Sequence, residues 1–386
     1  MERNMNITLA AGGTGGHMVP AHALANELKT RGHGVMLVTD ARGAKIPAIF
    51  EDVPVEVLPA GRLGGGPLGM IKAVFSVMKG RKAARELYRD FTPDCVVGFG
   101  GYPAFPALLA AHAEKIPTVL HEQNAVLGRV NRMLAGKAKA IATAYKQVQR
   151  SKDKSKEVMV GNPVRVEVAR LGEMPFPAFD ETAPLNILVT GGSQGASVLG
   201  EVVPEALGQL DASLRHRLSV VQQCRPEDIE RVTERYSELD IPAETLTYIE
   251  DMPRRIGNAH LIIARAGAST IAELTAAGRP AILVPLPIAT DDHQTFNARE
   301  MAKAGGAAMI KQPDFKPEKL ARQIEEIAGD PEALSNAAAR SLSVGRPRAA
   351  EELADLVERI AAGDNPIPIG PVGVAAPRPS GMGVPA

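Results

Sequence analysis

The sequence predicts an α/β protein of two domains, each built on a doubly wound parallel sheet, which face each other across a cleft. Strand-like apolar runs alternate with helical patterns along most of the 386 residues. Two glycine-rich loops, Gly12–Gly16 and Gly191–Gly195, each follow such a run and precede a helix. Loops of this kind turn backbone N–H groups and a helix N-terminus toward an anion. We therefore expect a phosphorylated ligand in the cleft.

The first alternating series occupies the N-terminal half. It predicts a helix over 21–28 and strands over 7–10, 34–39, 95–99, 118–121, 140–143 and 158–160. Gly161-Asn162-Pro163 and a proline-containing stretch over 173–184 then interrupt the pattern. We place the end of the first domain at residue 164.

A second series predicts strands over 187–190, 218–222, 245–249, 261–264 and 281–284. The second domain is expected over 165–344, with a last helix at about 345–362. Residues 363–386 are rich in Pro, Gly, Ala and Val. Such a composition buries too little apolar surface to offset the entropy of ordering, so we expect a disordered tail.

Composition excludes several classes of protein. The apolar fraction of 45% and the charged fraction of 23% are typical of a globular domain. Cys95 and Cys224 are the only cysteines, and neither has a partner at metal-ligand spacing. A disulfide scaffold and a zinc site are therefore not expected, which fits a reducing compartment. The polar N-terminus predicts no signal peptide, and no apolar run approaches the roughly 18 residues of a membrane span.

The formal net charge of zero hides an uneven distribution. Residues 1–164 carry 22 Lys and Arg against 13 Asp and Glu, whereas the remainder carries 22 against 31. Within the basic half, residues 70–82 combine apolar and basic side chains, including Ile71, Lys72, Val74, Phe75, Met78 and Lys79. Periodicity alone would allow an ordinary core helix, but the local excess of basic charge favours a helix that lies on an anionic membrane surface.

A dinucleotide-binding dehydrogenase is the first alternative, because Asp40 ends the second strand where a ribose-binding acid would lie. The glycines of residues 12–17 do not fit the spacing G-x-G-x-x-G, and a dehydrogenase gives the second glycine loop no role. We therefore set this alternative aside.

Two residues of the first half are candidates for a general base. His17 follows the first glycine loop, where the positive end of a helix would keep its imidazole neutral at pH 7. Glu122 lies in the run His-Glu-Gln-Asn that ends the strand at 118–121. A neutral imidazole and a carboxylate can both accept a proton, so the residues leave this choice open.

Polar residues of the second half suit a nucleotide sugar. Arg265-Ala266-Gly267-Ala268-Ser269-Thr270 follows a strand and opens a helix that contains Glu273, whose carboxylate could accept both hydroxyls of a ribose. Gln294 lies in a polar cluster over 291–297, and its amide has donors and an acceptor for sugar hydroxyls.

Taken in order, the motifs are Gly-Gly-Thr-Gly-Gly-His, Gly-Gly-Tyr, His-Glu-Gln-Asn, Gly-Asn-Pro-Val-Arg, Gly-Gly-Ser-Gln-Gly-Ala, Arg-Ala-Gly-Ala-Ser-Thr-Ile-Ala-Glu and Asp-Asp-His-Gln-Thr-Phe-Asn-Ala. Over residues 7–362 the chain resembles the MurG family of bacterial undecaprenyldiphospho-muramoylpentapeptide β-N-acetylglucosaminyltransferases. The resemblance implies a GT-B fold, in which two Rossmann-like domains face a cleft and the last helix returns to the first domain.

The resemblance also implies an activity. Family members transfer N-acetylglucosamine from UDP to the C4 hydroxyl of the muramoyl sugar of lipid I, with inversion, and so make lipid II for peptidoglycan synthesis, cell shape and division. The expected partners are UDP-N-acetylglucosamine, lipid I and the cytoplasmic leaflet of the inner membrane, to which the enzyme would bind peripherally. No cofactor, metal or nucleic acid is expected. An epimerase of UDP-N-acetylglucosamine shares the architecture and would need no acceptor.

The residues that the resemblance assigns to the donor are Thr14, Gly15, Gly16, Asn124, Arg165, Ser193, Ile249, Ala268, Ser269, Thr270, Ile271, Ala272, Glu273 and Gln294. Ser193 and neighbouring amides would bind the diphosphate, Ile249 would lie against the uracil, and Glu273 would hold the ribose. Many relatives carry two glutamines where this chain has His293-Gln294, so the sugar contact is carried over to Gln294 alone.

Overall fold

The computed structural model describes residues 4–13, 15–45, 50, 52–61, 66–180, 182–192 and 195–366. The strands of its first sheet are β1 (Asn6–Ala10), β2 (Gly34–Thr39), β3 (Val55–Val57), β4 (Cys95–Gly98), β5 (Thr118–Glu122), β6 (Ala140–Thr143) and β7 (Glu157–Met159). Those of its second sheet are β8 (Leu185–Thr190), β9 (Leu218–Gln223), β10 (Ala243–Leu246), β11 (Leu261–Ala264), β12 (Ala281–Leu283) and β13 (Ala307–Met309).

Helices alternate with these strands. They are α1 (Gly15–Thr30), α2 (Gly66–Phe91), α3 (Gly101–Ala113), α4 (Arg129–Leu134), α5 (Val166–Leu171), α6 (Ser197–Gly208), α7 (Ala212–Arg215), α8 (Ile229–Glu238), α9 (Met252–Asn258), α10 (Ala268–Ala276), α11 (His293–Ala304), α12 (Pro317–Ala328), α13 (Pro331–Ser343) and α14 (Ala349–Ala361).

Both sheets are parallel throughout the described residues, and the strand order of each reverses once. The first sheet has the order β3-β2-β1-β4-β5-β6-β7, so the reversal falls between β1 and β4. The second has the order β10-β9-β8-β11-β12-β13, with the reversal between β8 and β11. In open α/β sheets a ligand crevice forms at such a reversal, beyond the carboxyl ends of the strands. Each glycine-rich loop begins there, and the predicted pair of doubly wound sheets is confirmed.

The sequence alone did not predict β3 or β13, and the strand that it predicted over 245–249 begins and ends too far along the chain. β10 ends at Leu246, whereas the prediction extended that strand to Ile249. β3 and β13 are three-residue edge strands, and the side chains of β3 are exposed. An edge strand need not be buried on both faces, so β3 alternates apolar and polar residues. β13 is apolar but only three residues long and contains two alanines, which are depleted in strands.

Helix α14 returns from the second sheet to the first. Leu353, Val357 and Ile360 are buried in one cluster with residues of β1, β4 and β7. At the end of α1, Arg31 forms ion pairs with Asp355 and Glu358 of α14, with N–O distances of 2.6 and 2.9 Å. The apolar face of α14 therefore completes the core of the first domain. The predicted tail lies almost entirely outside the described residues.

Candidate active site between the two sheets

His17 lies in the first turn of α1, at the reversal of strand order in the first sheet. Its Nδ1 lies 3.1 Å from the carbonyl oxygen of Gly12. A carbonyl only accepts, so Nδ1 carries the hydrogen and Nε2 carries the lone pair. Gly101 faces the ring, and a Cβ at that position would lie 3.2 Å from Cε1 of His17. Burial lowers the pKa of His17, and the Gly12 carbonyl opposes this in part, so the imidazole is neutral at pH 7.

Asp40 supports the same glycine loop. Its Oδ1 accepts hydrogen bonds from the backbone N–H groups of Gly13, at 3.2 Å, and Gly43, at 2.9 Å. Its Oδ2 accepts from Arg42. The carboxylate that the dehydrogenase alternative would give to a ribose is thus used to fold the loop.

Glu122 ends β5 and is 2% exposed. Its Oε1 accepts from the backbone N–H and the side-chain amide of Asn124, at 3.1 and 3.2 Å. Its Oε2 accepts from the backbone N–H of Gly128 at 2.7 Å and from Asn131 at 2.9 Å. Burial raises the pKa of Glu122, and these four donors oppose the increase. Both oxygens are therefore engaged in folding the segment 124–131.

The neighbouring His121 is fully buried and joins three parts of the first domain. Its Nε2 donates to the carbonyl of Gly161 at 2.9 Å, and its Nδ1 accepts from the amide of Gln123 at 3.0 Å. That amide also donates to the carbonyl of Phe99. Burial lowers the pKa of His121 to about 4.

The second glycine loop begins after β8. Gly192 and Gly195 have φ angles of +75° and +66°, a region that favours glycine. A Cβ on Gly195 would lie 2.8 Å from Cγ of Arg225. Ser193 lies outside the described residues, as does Thr14 of the first loop, so their roles stay predictions.

Arg225 and Arg265 together place positive charge beside this loop. The Arg265 guanidinium is buried, and it donates to the carbonyls of Val284 and Pro285 and to the amide oxygen of Gln312. Burial and the charge of Arg225 lower the pKa of Arg265. Two cations that repel each other beside a phosphate-type loop favour an anionic ligand.

Helix α10 carries six of the predicted donor contacts. Ser269 Oγ lies 3.4 Å from the carbonyl oxygen of Gly16, so the N-terminus of α10 meets the first glycine loop across the cleft. Glu273 is buried and pairs with Arg165, whose Nη2 lies 2.7 Å from Oε1. Burial raises the pKa of Glu273, and Arg165 opposes this. Gly15 and Gly16, in the first turn of α1, face α10 from the opposite side of the cleft.

The remaining positions on α10 are not equivalent. Ala268, Ser269, Thr270 and Ala272 are partly exposed, whereas the Ile271 side chain packs in the core. Ile249 is buried in the same core cluster, so its side chain offers little surface for the predicted contact with uracil.

Gln294 lies in the first turn of α11. Its Oε1 accepts from the backbone N–H of Leu286 at 3.0 Å, which fixes the orientation of the amide. The neighbouring His293 instead donates from Nδ1 to the carbonyl of Thr290, at 2.7 Å. The site thus retains one oriented glutamine amide at this position.

Helix α2 has a buried apolar stripe and a second apolar face that is exposed to solvent. Ala73, Val77, Ala84 and Tyr88 form its buried stripe. Met70, Ile71, Val74, Phe75 and Met78 form a second face that is about half exposed or more, with Phe75 73% exposed, and Lys72 and Lys79 flank it.

None of the helices in the described part of the chain has the length and apolar character needed to span a bilayer. Within the same residues, no group of three or more His, Cys, Asp or Glu side chains is placed to hold a metal.

Two parallel-sheet domains with glycine loops at both reversals, facing each other across a cleft, define the GT-B fold of glycosyltransferases. The chain belongs to glycosyltransferase family 28. The model of that family's N-terminal domain matches residues 7–143, and the model of its C-terminal domain matches residues 186–360.

Individual relatives agree with this membership. A protein of Novosphingobium aromaticivorans is 60% identical, over 92% of both chains, and one of Erythrobacter litoralis is 58% identical, over 94% of this chain and 91% of that one. Both are named UDP-N-acetylglucosamine–N-acetylmuramyl-(pentapeptide) pyrophosphoryl-undecaprenol N-acetylglucosamine transferase. The crystal structure of Acinetobacter baumannii MurG is 32% identical and superimposes with a TM-score of 0.74, covering 92% of this chain and 99% of that one. The resemblance stated from the motifs is confirmed.

The structure also brings to the cleft residues that sequence reasoning did not assign. Asp291 pairs with Arg132 and Arg150 of the first domain, at 3.0 and 2.7 Å. Asn297 bonds to the loop that follows Glu122. Both residues lie in the polar cluster over 291–297, but their partners are more than 140 positions away in the chain, and no local pattern signals such a contact.

Proposed function

We propose that this chain transfers N-acetylglucosamine from UDP-N-acetylglucosamine to the C4 hydroxyl of the muramoyl sugar of lipid I, with inversion, and so forms lipid II. The observation that carries the proposal is the meeting of the first glycine loop with α10, where Ser269 lies 3.4 Å from Gly16. His17 is adjacent to that contact. A proton acceptor and the nucleotide-sugar helix therefore lie on opposite walls of one narrow cleft. The names of the close relatives support the same substrates.

His17 is the general base of this proposal. The acceptor oxygen O4 forms a bond to the anomeric carbon, the bond from that carbon to the β-phosphate oxygen breaks, and the hydroxyl proton moves to Nε2 of His17. Attack from the face opposite UDP inverts the anomeric centre. Nδ1 is already bonded to Gly12, so the imidazole holds the tautomer that this transfer needs. Glu122 is instead a positioning residue, because four hydrogen bonds occupy its oxygens.

The leaving diphosphate lies at the second glycine loop in this proposal. Backbone N–H groups there and at the N-terminus of α10 stabilise the charge that develops on UDP, and loss of one such donor typically costs about 3–4 kcal/mol in the transition state. Arg225 and Arg265 add positive charge at the same place. Glu273 and Gln294 hold the ribose and the hexose.

The lipid acceptor requires contact with a membrane. We propose that the exposed apolar face of α2 lies in the interface of the cytoplasmic leaflet of the inner membrane, with Lys72 and Lys79 near anionic headgroups. A helix whose apolar residues face solvent while a separate stripe packs on the core supports this placement. The association is peripheral.

The assignment of domains follows from the same proposal. Residues 1–164, completed by the helix at about 345–362, form the acceptor and membrane domain, and residues 165–344 form the donor domain. The packing of α14 on the first sheet and of α5 on α9 and α10 supports this division.

The test measures UDP release from UDP-N-acetylglucosamine with and without a lipid I analogue, in wild type, His17→Ala and His22→Ala. We expect release that requires the acceptor and a loss of about 10²- to 10⁴-fold in kcat for His17→Ala, the usual contribution of a general base. His22 lies further along the same helix and serves as the matched control, with activity close to wild type. Release or epimerisation without an acceptor would contradict the transferase.

A further inference from the structure

Asn297, on the second turn of α11, is a completely buried amide at the boundary between the two domains. Its Oδ1 accepts from the backbone N–H of Ala125 at 2.8 Å. Its Nδ2 donates to the side-chain oxygen of Asn124 at 3.1 Å and to the carbonyl of Ala266 at 3.3 Å. The three partners belong to two different domains, so neither domain alone satisfies this side chain.

The partners lie in the two walls of the proposed active site. Asn124 and Ala125 lie two and three residues after Glu122, whose carboxylate folds that loop. Ala266 lies between β11 and α10, two residues before the N-terminus of the donor helix. The amide of Asn297 therefore joins the loop that follows the acceptor-side strand to the start of the donor helix through one rigid group.

The turn that precedes α11 contacts the first domain through polar contacts of a different kind. Asp291 pairs with Arg132 and Arg150, and the Arg150 side chain is about half exposed. A partly exposed ion pair such as that of Asp291 with Arg150 is screened by salt and contributes little to stability. The Arg132 side chain is more buried, at 26% exposed. A buried amide with fixed donors and acceptors cannot exchange its partners for water, so it specifies one arrangement of the two loops.

We propose that Asn297 is a positioning residue for glycosyl transfer, which sets the closed arrangement in which His17 and the donor sugar meet. This inference rests on the function proposed above. It predicts that loss of the Asn297 amide impairs the chemical step more than nucleotide binding, because the groups proposed to bind the diphosphate and the ribose of UDP lie in the second domain.

The first test variant is Asn297→Asp, which keeps the size of the side chain and the acceptor for Ala125. It replaces the Nδ2 donor with a carboxylate oxygen that faces the oxygens of Asn124 and Ala266, so the link between the loops is lost. The second variant is Asn297→Ser, which is too short to reach Asn124. Lys303→Ala, at an exposed position of the same helix, is the control.

The assay titrates UDP by calorimetry, to obtain its Kd and the number of sites, and measures kcat with a lipid I analogue per UDP-binding site. We expect kcat to fall at least about tenfold in both Asn297 variants, a typical effect of leaving buried polar groups unpaired. The Kd for UDP should stay within about twofold of wild type. Lys303→Ala should match wild type in both measurements.

Two results would overturn the inference. One is that kcat per UDP-binding site is unchanged in both variants. The other is that both variants lose UDP binding and activity in the same proportion. If wild type itself shows no acceptor-dependent transfer, the proposed function fails instead, and the two failures are thereby distinguished.

Discussion

Glu122→Gln tests whether Glu122 supports a loop or accepts the proton. The carboxylate accepts four hydrogen bonds, two on each oxygen. Glutamine keeps one oxygen, and its NH₂ group then faces two donors, so two bonds to a charged acceptor are lost. Each is worth about 1.5–3 kcal/mol. Because glutamine also removes a buried charge, we take the lower end, a local loss of about 3 kcal/mol in the segment 124–131.

Hydrogen exchange measures this loss directly at the backbone amides of Asn124 and Gly128, which donate to Glu122 in the wild type. About 3 kcal/mol corresponds to exchange about a hundredfold faster. The kcat should fall because the loop moves, but the acid limb of the pH profile should stay in place. That limb belongs to His17, whose pKa lies below its ordinary value of 6.5, so activity is lost only as pH falls below that value.

A different outcome would refute this reasoning. If Glu122→Gln exchanges its amides at the wild-type rate and abolishes transfer at every pH, Glu122 is the base. His17→Ala measured in parallel should show the opposite pattern, with wild-type protection of the segment 124–131 and a large loss of kcat.

Three further predictions concern the membrane face, the diphosphate and the buried histidine. Phe75→Ser should weaken sedimentation with anionic vesicles about tenfold, since a large apolar side chain leaves the interface, whereas Met174→Ser, also exposed, should not. Arg225→Ala should weaken binding of UDP roughly three- to tenfold and leave uridine binding unchanged, because only the diphosphate meets its charge; equal losses for both ligands would contradict this. The folded-state pKa of His121, about 4, lies below the ordinary 6.5. The contribution of the neutral, buried imidazole to the stability of the fold is therefore present above pH 6.5 and is lost as pH falls toward 4. That loss is about 3 kcal/mol, and urea unfolding of His121→Gln should show a flatter pH dependence over this range than wild type.

The linear sequence was sufficient to predict both sheets and the loops that bear the site. Inner strands such as β4 and β11 are continuous apolar runs, and the glycine-rich loops after β1 and β8 are short motifs, so both features can be recognised from local sequence. The edge strands β3 and β13 were not predicted, because they are three residues long and their side chains are incompletely buried. Ile249 was predicted to end a strand. The sequence alone does not distinguish an apolar residue that extends a strand from one in the following loop that packs into the core.

The roles proposed for the two candidate bases rest on hydrogen bonds that form only in the folded loops around them. The sequence could name His17 and Glu122 as possible bases, but only the fold shows that four donors occupy Glu122 while Gly12 fixes the tautomer of His17. The apolar residues of α2 could equally have formed core, and which face is covered depends on what packs against the helix.

The sequence by itself therefore determined the fold class, the two ligand loops and the set of candidate residues, since strand periodicity and glycine requirements are properties of short segments. The tertiary structure decided how each candidate side chain is buried and paired, and how the domains meet. Asn297 and Asn124 lie 173 positions apart, and their hydrogen bond exists only because two separately folded sheets pack against each other. Burial, hydrogen-bond satisfaction and pKa depend on all neighbours in space, and these neighbours are not adjacent in the chain.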